Sequence, residues 1–75
     1  MAIDAALRDS LIEQARQVAA DRGWTWREPI DVTEGAQGGE PVWIVRSNAM
    51  MRGASARIVV RRSDRAVVDA GYLPR

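Results

Sequence analysis

The chain lacks cysteine, histidine, lysine and phenylalanine altogether. Without cysteine there is no disulfide, no thiolate nucleophile and no thiolate metal site. Without histidine the commonest metal ligand and the commonest general base are gone. With no lysine, all 11 basic residues are arginine, so every cation is a planar, permanently charged fork suited to carboxylates, phosphates and aromatic faces. No apolar run approaches the ~20 residues that span a membrane. The opening MAIDAALRDSLIEQ carries acids where a secretory leader needs a positive start and an unbroken apolar stretch, so a cytoplasmic protein is expected. No glycine-rich phosphate loop, nucleophile elbow or metal-ligand spacing occurs, and the expectation is a non-enzymatic protein with no cofactor and no metal.

What remains is an ordinary globular composition, 47% hydrophobic and 28% charged, in a 75-residue chain that has room for one domain and one modest core. The net charge of +1 hides a split. Residues 1–45 hold four arginines against eight acids, and residues 46–75 hold seven arginines against two. An acidic half joined to a basic half serves attraction between the halves, or marks a binding face.

Along the chain, Ile3, Leu7, Leu11, Ala15 and Val18 recur at steps of four and three, which predicts an amphipathic helix over residues 2–22, closed by Gly23. The period then changes to two. Trp24, Trp26, Ile30 and Val32 share one parity and predict a first strand over about 24–33, with Pro29 confining it to an edge or a bend. GAQGGE at 35–40 reads as a loop, Val42 to Val45 as part of a strand at 41–46 that is apolar on both sides, and SNAMMRGAS at 47–55 as a connection. Further strands follow at 56–62 and 66–70, joined by a turn at Asp64, with Gly71 releasing the chain. One helix followed by four consecutive strands predicts an α+β fold, a single domain over 1–75: an antiparallel meander with the helix on one face.

The order of these pieces resembles small bacterial cystatin-like domains. The likeness rests on a tryptophan just after the helix-ending glycine, VWIV after a glycine loop, then ARIVV and a closing hairpin. PepSY-like domains and immunity proteins of polymorphic toxin systems, including those with a reduced NTF2-like fold, share it. Trp43, Val45, Gly53 and Ile58 to Val60 match the immunity pattern, whereas the glycine expected in the final hairpin is missing after Asp64. The resemblance implies a module that binds a protein, or holds a small ligand in the concavity of its sheet.

The candidate partner-binding residues are Trp43, Val45, Arg46, Arg57, Val59 and Arg61, taken together as an aromatic and aliphatic patch rimmed by positive charge on the outer sheet face. Their expected use is docking to a protein partner or to a second copy of the chain. Nucleic acid, held through the same arginines, is the alternative. The plain reading is that a solvated sheet face in a lysine-free protein carries arginines paired with Asp31, Glu34 or Asp69. For acid and base chemistry the only candidate carboxylate pairs are Asp31 with Glu34 and Glu28 with Glu40, and their spacing fixes neither.

Overall fold

A computed structural model describes residues 4–49 and 53–73. It has the expected α+β architecture: helix α1 (Ala5–Asp21) followed by strands β1 (Asp31–Gln37), β2 (Glu40–Arg46), β3 (Ser55–Arg61) and β4 (Val67–Leu73). The strands form one antiparallel sheet in the order β1-β2-β3-β4, and the helix lies against the two central strands. The expected helix start at Ala2 and Ile3, the paired Met50 and Met51, and Arg52 lie outside the described residues.

Local chemistry sets the helix ends. The Asp4 carboxylate accepts the Leu7 N–H at 2.8 Å and caps the start. At the other end Gly23 takes φ +73, the Trp24 N–H reaches the Ala19 carbonyl at 2.8 Å, and the Gly23 N–H reaches that of Ala20 at 3.1 Å. This is the paired closure that a left-handed glycine permits, with the next residue, Trp24, turned back onto the core.

That closure explains the first departure from expectation. Residues 24–30 are not a strand. Trp24 and Trp26 pack on the edge of the core from an irregular connection that includes the cis Glu28–Pro29 bond, and β1 begins only at Asp31. In compensation β1 runs on through Gly35 to Gln37, residues read as loop, because β2 offers a full ladder from Asp31↔Arg46 to Gln37↔Glu40. Only Gly38 and Gly39 turn, with φ +61 and +82, the left-handed pair that a two-residue hairpin needs.

The core lies between the helix and one sheet face. Leu11 and Ala15 meet Trp43, Val45, Ile58 and Val60, with Leu7, Ile12, Val18, Trp24, Trp26, Ile30, Val32 and Ala70 around them. The connection after β2 is stitched down by buried polar groups. Ser47 accepts the Ala56 N–H on its hydroxyl at 2.9 Å, the Asn48 N–H reaches the Arg27 carbonyl at 2.6 Å, and the Ala49 N–H reaches that of Pro29 at 2.9 Å. Asn48 also donates its side-chain amide to the Ala54 carbonyl at 3.1 Å. One short segment thereby holds both the helix-to-β1 connection and the start of β3.

Candidate functional site

Antiparallel register decides which side chains share a face, since directly paired residues project together. Trp43 pairs with Glu34 and Val60, and Val45 with Val32 and Ile58, which places both on the helix side. Trp43 is 6% exposed and Val45 is fully buried. Neither belongs to the outer face, and as neighbours in an extended strand Val45 and Arg46 could not have shared one. Trp43 is roofed at its margin by Arg62, whose guanidinium lies 4.4 Å from the ring centroid and pairs with Glu34 at 3.0 Å. An aromatic ring under a salt-bridged arginine is a packing device, and it removes the indole from any docking surface.

The other four candidates do lie on the face opposite the helix. Val59 pairs with Ile44 and Asp69, Arg61 with Val42, Arg57 with Arg46, and Arg46 with Asp31. Yet this face is largely finished. Val42 and Val59 are only 1% and 0% exposed although no helix covers them. By register, the same-face neighbours of Val59 are Ile44, Asp69, Arg57 and Arg61, so its cover comes from aliphatic stems and not from a second layer.

The guanidinium heads are held by acids. Arg61 meets Asp64 at 2.9 Å and Glu40 at 3.5 Å, Arg46 meets Asp31 at 3.4 Å, and Arg57 meets Asp69 at 3.5 Å. Three arginines face four carboxylates, so the face carries no excess positive charge. Arg65 is on the opposite side: it bonds to Ser10 at 2.9 Å and Gln14 at 3.1 Å and ties the β3–β4 turn to the helix. The β3–β4 turn is fixed by Asp64, which accepts the Ala66 N–H at 3.1 Å. That bond, assisted by Arg61, holds the Asp64 carboxyl below its usual range.

One end of the outer face is less complete. Arg46 and Arg57 stand directly opposite each other, a like-charge pair that a sheet does not favour. Each is tied only by an ion pair of 3.4–3.5 Å, and their side chains remain 52% and 47% exposed. Next along the same row is Gly71, with open space where a side chain would stand. Arg46, Ser55, Arg57, Gly71, Tyr72 and Leu73 line a shallow cleft of about 360 Å³ there. Leu73 is 69% exposed, the more open of the two large apolar residues exposed among the described residues, and the other, Val67 at 37%, lies on the same strand. Gly71 and Leu73 were not sequence candidates, because Gly71 read as a strand end. The alternation Val67, Asp69, Gly71, Leu73 was the available signal.

A second concavity of about 460 Å³ lies between the helix and the connection before β1, lined by Arg8, Asp9, Ile12, Glu28, Pro29 and Ile30. Of the acid-base pairs considered from sequence, Asp31 and Glu34 project from opposite faces of β1 and bond to Arg46 and Arg62 respectively, while Glu28 lines this concavity and Glu40 pairs with Arg61 on the outer sheet face. Among the described residues no group of three acids could hold a metal ion, and no helix is long and apolar enough to cross a membrane. Comparison of the chain with protein-family models, with curated proteins and with solved structures finds no match in any of the three.

Proposed function

We propose that the chain is a non-enzymatic protein-binding module, of the inhibitor or immunity kind that its cystatin-like layout suggests. Its contact surface is the β4 end of the outer sheet face, with Arg46 and Arg57 as the charged anchors and Leu73 as the apolar one. The observation that carries this reading is the Arg46–Arg57 pair. The fold gains nothing by setting two cations opposite one another beside an empty glycine position, whereas a partner that brings a carboxylate next to an apolar side chain meets two half-exposed forks, each held by one acid at 3.4–3.5 Å, and a leucine. Nucleic acid has no such support, since the outer arginines are matched by acids and phosphate binding draws on uncompensated charge. The cysteine-free composition supports a cytoplasmic setting.

The test is a titration of the isotope-labelled chain with a short extended peptide alternating leucine and aspartate, with a leucine–lysine peptide as control. Saturable shifts at the Arg46, Arg57, Gly71 and Leu73 amides are expected with the acidic peptide alone. No shift at about millimolar peptide, where binding is worth only about 4 kcal/mol, or equal shifts with the lysine control, overturns the reading.

A further inference from the structure

The two edges of the sheet are not alike. β1 turns a charged residue, Glu34, toward the helix side and exposes no large apolar side chain, which are means of discouraging a further strand. β4 has no proline, carries one charge in seven residues, packs Ala70 against the core and Tyr72 against Trp24, and holds the two large apolar side chains that are exposed among the described residues. The bulge beside Val59 and Val60 bends its start but leaves the alternation of exposed and half-buried residues unbroken from Val67 to Leu73.

We propose that β4 pairs with β4 of a second copy of the chain, antiparallel about a two-fold axis at Ala70, joining two four-stranded sheets into one. The proposal rests on the protein-binding reading above and names the partner. The register follows from the sequence of the strand. Antiparallel self-pairing must keep each parity on one face, so the axis passes through a residue. An axis at Asp69 sets two carboxylates against each other, and one at Gly71 sets Leu73 against Asp69. Only the axis at Ala70 uses all seven residues, and it places Val67 opposite Leu73 of the second copy, Val68 opposite its Tyr72 and Asp69 opposite its Gly71.

Charge follows the same register. Arg57 is paired with Gly71, and beyond Gly71 the next residue in the row is Asp69 of the second copy. Arginine and aspartate are then two strand spacings apart, about 10 Å between their Cα atoms, a gap that an extended arginine closes when the residue between has no side chain. The second copy thus supplies Arg57 with a carboxylate across the new seam in exchange for the diagonal one of its own chain, twice by symmetry, and covers the two exposed apolar side chains. Asp69, which bonds to its own Ala70 N–H at 3.0 Å and lies 3.5 Å from its own Arg57, exchanges to Arg57 of the second copy.

Sedimentation velocity between about 10 μM and 1 mM should show a doubling of mass with rising concentration. Arg57→Asp and Asp69→Arg should each remain monomeric, and an equimolar mixture of the two should dimerise, because both cross-pairs are then attractive. Leu73→Asp, at an exposed position that leaves the fold intact, should also be monomeric. A chain that stays monomeric throughout overturns the self-pairing, as does a dimer indifferent to the charge reversals. The peptide titration on the same sample separates the two readings: amide shifts at Arg57 and Gly71 in a monomeric chain sink the second copy and leave the cleft as a protein-binding site.

Discussion

Replacing Asn48 tests how the connections are held, and the structure gives both sign and size. Asn48 has φ +52, a conformation that asparagine tolerates and alanine resists by about 1–2 kcal/mol. Its side-chain amide also satisfies the Ala54 carbonyl, and losing a donor to a partly buried acceptor costs about 1–3 kcal/mol. Asn48→Ala loses both, about 2–5 kcal/mol, a large share of the roughly 4–11 kcal/mol available to a chain of this length. Asn48→Gly loses the bond but keeps the backbone conformation, at a few tenths to 1 kcal/mol for extra freedom in the unfolded state. The order of stability is therefore asparagine, then glycine, then alanine, the reverse of the usual preference between the last two. Urea unfolding reads it directly: with a slope of about 1 kcal/mol per molar, the glycine and alanine midpoints should differ by several tenths of a molar or more at unchanged slope. An alanine variant as stable as the glycine variant refutes the left-handed latch.

Gly71→Thr should move stability and association in opposite directions. With nothing near the missing side chain and an extended backbone, threonine should raise the stability of the dilute monomer by about 0.5–1 kcal/mol in thermal unfolding. By filling the lane between Arg57 and Asp69 of the second copy, it should weaken self-association at least tenfold by sedimentation; parallel rises in both would refute the lane. Asp64 should weaken the β3–β4 turn on acidification. Its folded pKa is depressed, chiefly by the Ala66 N–H and further by Arg61, so its contribution is present above the unfolded value and is lost as pH falls through the folded one. Carboxyl titration by NMR should place Asp64 below an unfolded reference, and Asp64→Asn should remove that part of the acid sensitivity; a reference-like titration would refute the assignment.

The helix was legible because its stripe and its closing glycine repeat a period that nothing else produces. The four-strand order was legible for the same reason, strand by strand. The first strand was displaced because the tryptophan parity that suggested it has another origin: Trp24 and Trp26 fold back over the core after the glycine closure, Trp24 stacking on Tyr72 with centroids 5.5 Å apart. The β1–β2 hairpin was hidden by glycine content, since Gly35 sits in the ladder, with the Ile44 side chain occupying the space its own would take. The orientation of β2 could not be read at all. Val42, Trp43, Ile44 and Val45 are apolar on both parities, and the choice between them was settled by partners distant in sequence, Glu34 on one side and Arg62 above the indole. Arg57, Val59 and Arg61 were placed correctly because β3 alternates arginine with valine on one side only.

A strand apolar on both sides normally implies a second layer, and this sheet has only one helix. The resolution lies in the residue that replaced lysine throughout. An arginine stem is long enough to lie across a neighbouring valine, and its fork is broad enough to reach an acid three residues or one strand away. Val42 and Val59 are covered in this way, with Arg61 spanning Asp64 and Glu40 above them. A roof built from paired side chains cannot extend past the last strand, because β4 brings one acid, Asp69, and no strand follows it in the sheet. Arg57 is where that deficit falls: its outward neighbour is a glycine, its only acid lies diagonally at 3.5 Å, and the leucine beside it has no cover. The proposed association at this edge continues the rule that closes the rest of the face, each arginine meeting a carboxylate across the sheet, applied where the chain itself has run out of strands.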